Sequence, residues 1–248
     1  MKILIALATF NRPIITDLCL KNLQVVRNDL TKVVIYDDHS EAYSEEYLNQ
    51  YADEVIRFKA RGGIERSRAR AFRDFLINYS QYDLLYLTDN DAIHDPAFTQ
   101  VLRDAFAWQN QFPEEVNPVG LFNSVFHREK IIAESEEFFL SETCPGISMC
   151  YTRDMVSSIV EYLDQFPAEE SSYGWDMNWP RVLGRPFLLP KISYVEHFAR
   201  DRFEGGMHSN NSGLNSIALM DFERDRALYP SDYLVAIRPS IIKTILGF

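Results

Sequence analysis

The sequence predicts an α/β protein: one domain whose central sheet is mostly parallel and flanked by helices, followed by an irregular second half. Three observations carry this. Apolar strand-like runs alternate with helix-like stretches through the first half, the pattern that gives parallel pairing through right-handed crossovers. Two of those runs, "VVIYDDHS" and "LLYLTDND", end in acid-rich turns. From about Pro118 the alternation fades.

The elements follow in order. "KILIALATF" reads as a strand, and Pro13 stands where the first turn of a helix through "ITDLCLKNLQVV" accepts it. "KVVIYDD" is a second strand, followed by a charged helix near "SEEYLNQYA", and "EVIRFKA" is a third strand. Gly62 and Gly63 open a basic helix, "IERSRARAFRDFLINY". "YDLLYLTDND" is a fourth strand, and Asp95 before Pro96 is placed to cap the helix "AFTQVLRDAFAWQNQF". In the second half "PVGLFNSVF" and "KIIAES" read as β segments, "MVSSIVEYL" as a helix and "FLLPKISYVEHF" as one more strand. The glycine-rich "ARDRFEGGMHSNNSG" reads as a loop, and a lid over a bound ligand is one use for it.

Composition narrows the function. The 248 residues suffice to bury a sizeable core, and 46% hydrophobic with 25% charged residues is ordinary for a globular chain. A net charge of −11 argues against non-specific nucleic-acid binding, which needs a basic face. Three cysteines without a CxxC pair point to a reducing, cytoplasmic compartment. The start, "MKILIALATFNRP", reads as a first strand rather than a leader, because Asn11-Arg12-Pro13 stands where a cleavage site belongs. The end, "YLVAIRPSIIKTILGF", packs on the body or touches a membrane surface or a partner protein. GxxxxGK[ST], GxGxxG and HExxH are absent, and "GISMC" is only a near miss to a nucleophile elbow.

Ligands of open parallel sheets bind outside the carboxyl ends of the strands. Parallel strands bring the two acidic turns to one edge, so Asp37, Asp38, Asp89 and Asp91 can face a common cleft. Extended backbone points residues two apart the same way, so Asp89 and Asp91 converge while Asn90 turns aside. Two convergent carboxylates suit Mg²⁺ or Mn²⁺, which keep places for phosphate and water. Of Arg66, Arg68, Arg70 and Arg73, one or two turn toward such phosphates, and the rest form a solvated face.

In that order "ATFNRP", "VVIYDDHS", "GGIERSRA" and "LLYLTDNDAIHDP" resemble the successive signatures of family-two glycosyltransferases with the GT-A fold, over roughly the first hundred residues. "YGWDMNWPRVLGRPFLLPKISYVEH" looks like a looser form of the acceptor-side motif of that family. The resemblance implies a nucleotide-diphosphate sugar donor, of the UDP type, and a glycan or glycolipid acceptor. It places Thr9, Phe10, Arg12 and Asn90 around the donor, Asp38 on the base, and Arg68 near the base or diphosphate. Asp89 would meet the ribose or a Mn²⁺ or Mg²⁺ ion, Asp91 would be the main metal ligand, and His197 would complete the metal site, with His208 as its rival. Asp176 would be the general base of an inverting displacement, and Trp175 an acceptor-side contact.

Trp175-Asp176 replaces the usual paired acids, and Pro180 interrupts the expected helix. Glu169 and Glu170 are therefore alternative bases, and Asp176 has a competing reading as a helix N-cap. A single domain over residues 1–248 is expected, with a nucleotide-sugar half, 1–117, and an acceptor half, 118–248. Two other functions remain: a nucleotidyltransferase that makes sugar nucleotides, and an inactive sugar-nucleotide-binding assembly protein. "LATFNRP" lacks the glycines the first would carry, and the Asp89/Asp91 pair weighs against the second.

Overall fold

The computed structural model describes residues 1–111, 116–123, 130–135, 137–171 and 174–197. Tyr173, the glycine-rich stretch with His208 and the apolar end of the chain lie outside them.

Strand β1 (Ile3–Thr9) is buried along its whole length, as a parallel strand covered on both faces must be. It pairs in parallel with β2 (Thr31–Asp37) on one side and β4 (Leu84–Asp89) on the other. The register sets Thr9 opposite Asp37 and Ala8 opposite Asp89, so both acidic turns leave the sheet at one edge. The parallel strand β3 (Glu54–Arg57) lies beyond β2. The expected helices are α1 (Pro13–Val26), α2 (Glu45–Leu48), α3 (Gly63–Asn78) and α4 (Phe98–Gln109). α2 is a single turn capped by the Ser44 hydroxyl, shorter than its sequence suggests. Gly63 opens α3 at φ +89°, a left-handed value that a side chain would strain.

Past β4 the pairing changes direction. β5 (Ala92–His94) directly follows Asp91 and joins, antiparallel, the late strand β11 (Val195–His197) in a separate two-stranded sheet. The main sheet continues through β6 (Val119–Gly120), β7 (Ile131–Glu134), β8 (Phe138–Ser141), β9 (Ser148–Thr152) and β10 (Phe187–Pro190). Its order is β3-β2-β1-β4-β9-β6-β10-β8-β7, with β9 antiparallel to β4. α5 (Arg153–Gln165) follows β9 and packs on α3. Arg153 donates to the carbonyls of Phe75, Tyr79 and Tyr82 at 3.1, 2.9 and 3.0 Å, a cation on acceptors that the end of α3 leaves open.

The single strand expected over "FLLPKISYVEHF" is two: β10 ends at Pro190, and β11 begins only at Val195. The chain then crosses from one sheet to the other. Pro180 acts as expected: α6 (Trp175–Asn178) gives way to a 3₁₀ turn over Trp179–Leu183. Asp95 holds the turn ahead of α4 rather than capping the helix. Its Oδ1 accepts the Ala97 N–H at 2.8 Å, and Ala97 is the cap residue. The halves share one core, since Phe72 of α3 meets Tyr151 of β9 at 5.6 Å and Trp179 at 6.1 Å between ring centres.

Candidate functional site

The turn after β1 is built first. Asn11 and Arg12 both take left-handed backbone, at φ 50° and 63°, which costs about 1–2 kcal/mol each for a side chain of this kind. Bonds to the β2 turn hold them there. Asn11 N–H donates to Ser40 Oγ at 2.8 Å, and Asn11 Oδ1 accepts the N–H groups of Glu41 and Ala42 at 3.0 and 3.2 Å. The Thr9 hydroxyl is buried against Tyr43 Oη. Phe10 lies beneath the Arg61 guanidinium, 4.2 Å from the ring centre.

The two acids of the β2 turn serve different ends. Asp37 is fully buried, accepts the Ser40 N–H at 3.1 Å and lies 3.2 Å from Arg57 Nε, so it braces the turn and does not face the cleft. Asp38 accepts the Gly62 N–H at 2.7 Å and the Gly63 N–H at 2.8 Å, one on each oxygen. It thereby fixes the entry to α3 while standing at the sheet edge.

The β4 turn holds the densest charge. Asn90 turns aside as expected, its amide donating to Thr16 Oγ1 at 2.7 Å. Asp89 pairs with Arg68, whose guanidinium is 1% exposed and also donates to the carbonyls of Ala6 at 3.0 Å and Thr88 at 2.7 Å. Arg68 therefore works inside the protein, tying β1 to β4 beneath Asp89. Arg70 pairs with Asp74, and Arg73 with Asp164 and Glu170.

Asp91 is buried, with Oδ2 2.8 Å from Arg12 Nη1 and 3.4 Å from His197 Nε2. His197 arrives from the far end of the described chain because β11 sets it opposite Ala92. Its ring stands edge-on to Phe122. Burial opposes charge on both acids, with different outcomes. Asp89 is pushed up to about 6 by burial and by the neighbouring Asp91 and Asp176, against Arg68. Asp91 is held well below the usual carboxylate range, because His197 and Arg12 outweigh its burial.

Asp176 lies on the first turn of α6, and its Oδ2 accepts the Gly146 N–H at 3.3 Å. Burial raises its pKa. Arg68, paired with Asp89, lies 5.3 Å over the ring of Trp175, so the α6 turn that carries Asp176 approaches the Asp89/Asp91 turn. Of the alternatives, Glu170 is held by Arg73 on α3. Trp175 is 5% exposed, with Arg68 5.3 Å above its ring and Trp179 at 5.7 Å.

Sequence reasoning missed Arg57, Tyr43 and Gly146. Only Gly146 left a signal, in the Pro145-Gly146 turn. Nor was the depth of Arg68 foreseen, although Arg68, Phe72 and Phe75 share one face at i, i+4 and i+7.

Among the described residues no three His, Cys, Asp or Glu side chains form a group able to hold a metal. A divalent cation fits more narrowly. Asp91 Oδ1 is buried without a hydrogen-bond partner, and His197 lies at the other oxygen. An ion that takes its remaining ligands from phosphate and water needs only one or two protein groups.

The model of the glycosyl transferase family 2 family matches residues 4–111. The chain is similar to Staphylococcus aureus TarS, with 16% identity over 81% of this chain and 37% of that one, at TM-score 0.58. TarS 1–349 in complex with UDP-GlcNAc also matches, at 16% identity, over 92% of this chain and 65% of that one, at TM-score 0.57. GalNAc-T7 with UDP, GalNAc and Mn²⁺ matches at 13% identity, over 94% and 50%, at TM-score 0.59. The chain thus spans between about a third and two thirds of the length of these structures. No curated protein matches in sequence. The match to the glycosyl transferase family 2 model thus covers residues 4–111, and the chain as described has the GT-A fold of these glycosyltransferase structures.

Proposed function

We propose that the protein is a metal-dependent, inverting glycosyltransferase that moves a sugar from a nucleoside diphosphate to a hydroxyl of a glycan or glycolipid. Its main support is that His197 of β11 reaches Asp91 of the β4 turn, while Arg68 links Asp89 to Trp175, the neighbour of Asp176 on α6. A UDP-type donor is favoured because neighbours of the same fold hold UDP-GlcNAc, or UDP with GalNAc and Mn²⁺.

In this reading residues 1–117 hold the donor and 118–248 select the acceptor within one domain. Thr9, Phe10 and Asn90 shape the donor pocket. Asp38 accepts from the base with lone pairs its two amide bonds leave free. Arg12 supplies positive charge at the start of α1. Arg68 holds Asp89 in place toward the ribose. Asp91 and His197 would hold a Mn²⁺ or Mg²⁺ ion, which offsets the charge developing on the departing diphosphate. Asp176, its proton affinity raised by burial, removes the proton of the acceptor hydroxyl. Trp175 supports Asp176 and Arg68 from below, on the acceptor side. The buried, unbridged Cys19, Cys144 and Cys150 accord with the cytoplasm. No helix among the described residues is long and apolar enough to cross a membrane; a peripheral contact with the inner face of a membrane is part of this reading.

A panel of nucleotide sugars, assayed for binding and slow hydrolysis with and without Mn²⁺, tests the proposal. Binding and metal-stimulated hydrolysis of at least one UDP-sugar is expected. If none binds, or if the protein instead joins a nucleoside triphosphate to a sugar phosphate, the proposal fails.

A further inference from the structure

We propose that Arg12 is the resident counter-ion of Asp91 and competes with a divalent cation for that carboxylate. This deepens the functional reading above and rests on it. Asp91 is buried, with 8% of its side chain exposed, and its charge needs compensation at all times. Arg12 contributes to that compensation through one bond, Nη1 to Oδ2 at 2.8 Å, with His197 Nε2 3.4 Å from the same oxygen. Its Nε and Nη2 are buried without partners among the described residues, where Asp91 is the one group its guanidinium bonds.

The contrast with Arg68 is informative. Arg68 serves Asp89 but is also fixed by two backbone carbonyls and is 1% exposed. It cannot leave without stranding three acceptors. The Arg12 side chain is 17% exposed and donates to no backbone carbonyl among the described residues, so it can give up Asp91 without stranding another acceptor. Its position follows from the left-handed turn of Asn11 and Arg12, which Asn11 ties to Ser40, Glu41 and Ala42. A doubly charged ion approaching the free Oδ1 of Asp91 meets this guanidinium on the other oxygen. The two positive charges repel, and in a buried site they do so more strongly than in water. The arginine therefore sets how much metal the nucleotide-free protein takes up.

The test is Mn²⁺ binding to the nucleotide-free protein, read by the loss of the free-ion electron paramagnetic resonance signal. Arg12→Gln should bind Mn²⁺ at least about tenfold more tightly than wild type. Arg12→Lys keeps the charge and should stay within about threefold. An Arg12→Gln variant that folds and binds Mn²⁺ no more tightly than wild type overturns the inference. So does an Arg12→Lys variant as tight as Arg12→Gln. Asp91→Asn separates the two levels of the proposal. If it binds Mn²⁺ as well as wild type does, Asp91 is not the metal ligand, and the functional reading of the site falls as well.

Discussion

Acid should destabilise this protein through His94, a residue outside the chemistry but directly below it. The imidazole is fully buried at the end of β5, with Nε2 3.2 Å from Thr88 Oγ1 and 3.1 Å from the Tyr86 hydroxyl. The Phe98 ring packs 4.7 Å away, Asn22 brackets the His94 backbone, and no carboxylate of the described residues faces the ring. Burial alone pushes its pKa from 6.5 down to about 3. A lowered value means that the folded state binds fewer protons than the unfolded one. The stabilisation is therefore complete above 6.5 and is lost as the pH falls toward 3. The whole shift corresponds to roughly 5 kcal/mol, of which about 2–3 kcal/mol should disappear between pH 7.5 and 4.5. Urea unfolding of wild type and His94→Gln across that window measures it. The variant should start less stable and lose correspondingly less. Asp89 and Asp176, both raised, act in the opposite sense, and Asp91 in the same sense. All three are common to both proteins and cancel in the difference. Parallel pH profiles would refute the account of His94.

Other consequences follow from the same geometry. Asp38→Ala removes the acceptor for two glycine N–H groups at the start of α3 and should cost about 2–4 kcal/mol in urea unfolding, besides weakening nucleotide binding. Arg68→Met strands Asp89 and the carbonyls of Ala6 and Thr88. It should cost about 3–5 kcal/mol, and Arg68→Lys should not restore it, because one ammonium cannot span the same acceptors. Asp176→Asn should lower transfer by roughly 10²–10⁴-fold in kcat while donor affinity stays within about threefold. Transfer at a near wild-type rate would move the base elsewhere.

The first four strands and their helices were legible in the sequence because each is a continuous apolar run or a helical stripe with a clear stop. The strands β5, β8 and β9 were not. "AIH" and "FFLS" are too short to show a period, and "SMCYT" is buried on both faces without alternation, following a Pro-Gly turn. The acidic edge was readable because parallel pairing fixes where the strand ends meet. What each acid does there was not. Asp37 and Asp38 look alike in "YDDHS", yet one is sealed under Arg57 and the other holds two backbone amides. That division depends on Arg57, Gly62 and Gly63, which the chain supplies from elsewhere. The approach of His197 to Asp91 depends on a two-stranded pairing between residues about a hundred positions apart, and nothing local encodes it.

The central claim is that the Asp91 carboxylate binds a nucleoside diphosphate through a divalent cation. Isothermal titration of UDP into wild type and Asp91→Asn, each with Mn²⁺ and with EDTA, tests it most directly. Wild type should bind UDP at least about tenfold more tightly with Mn²⁺ than with EDTA, and Asp91→Asn should lose that difference. Equal affinities for wild type in the two buffers, or a Mn²⁺ effect that survives in Asp91→Asn, would contradict the account.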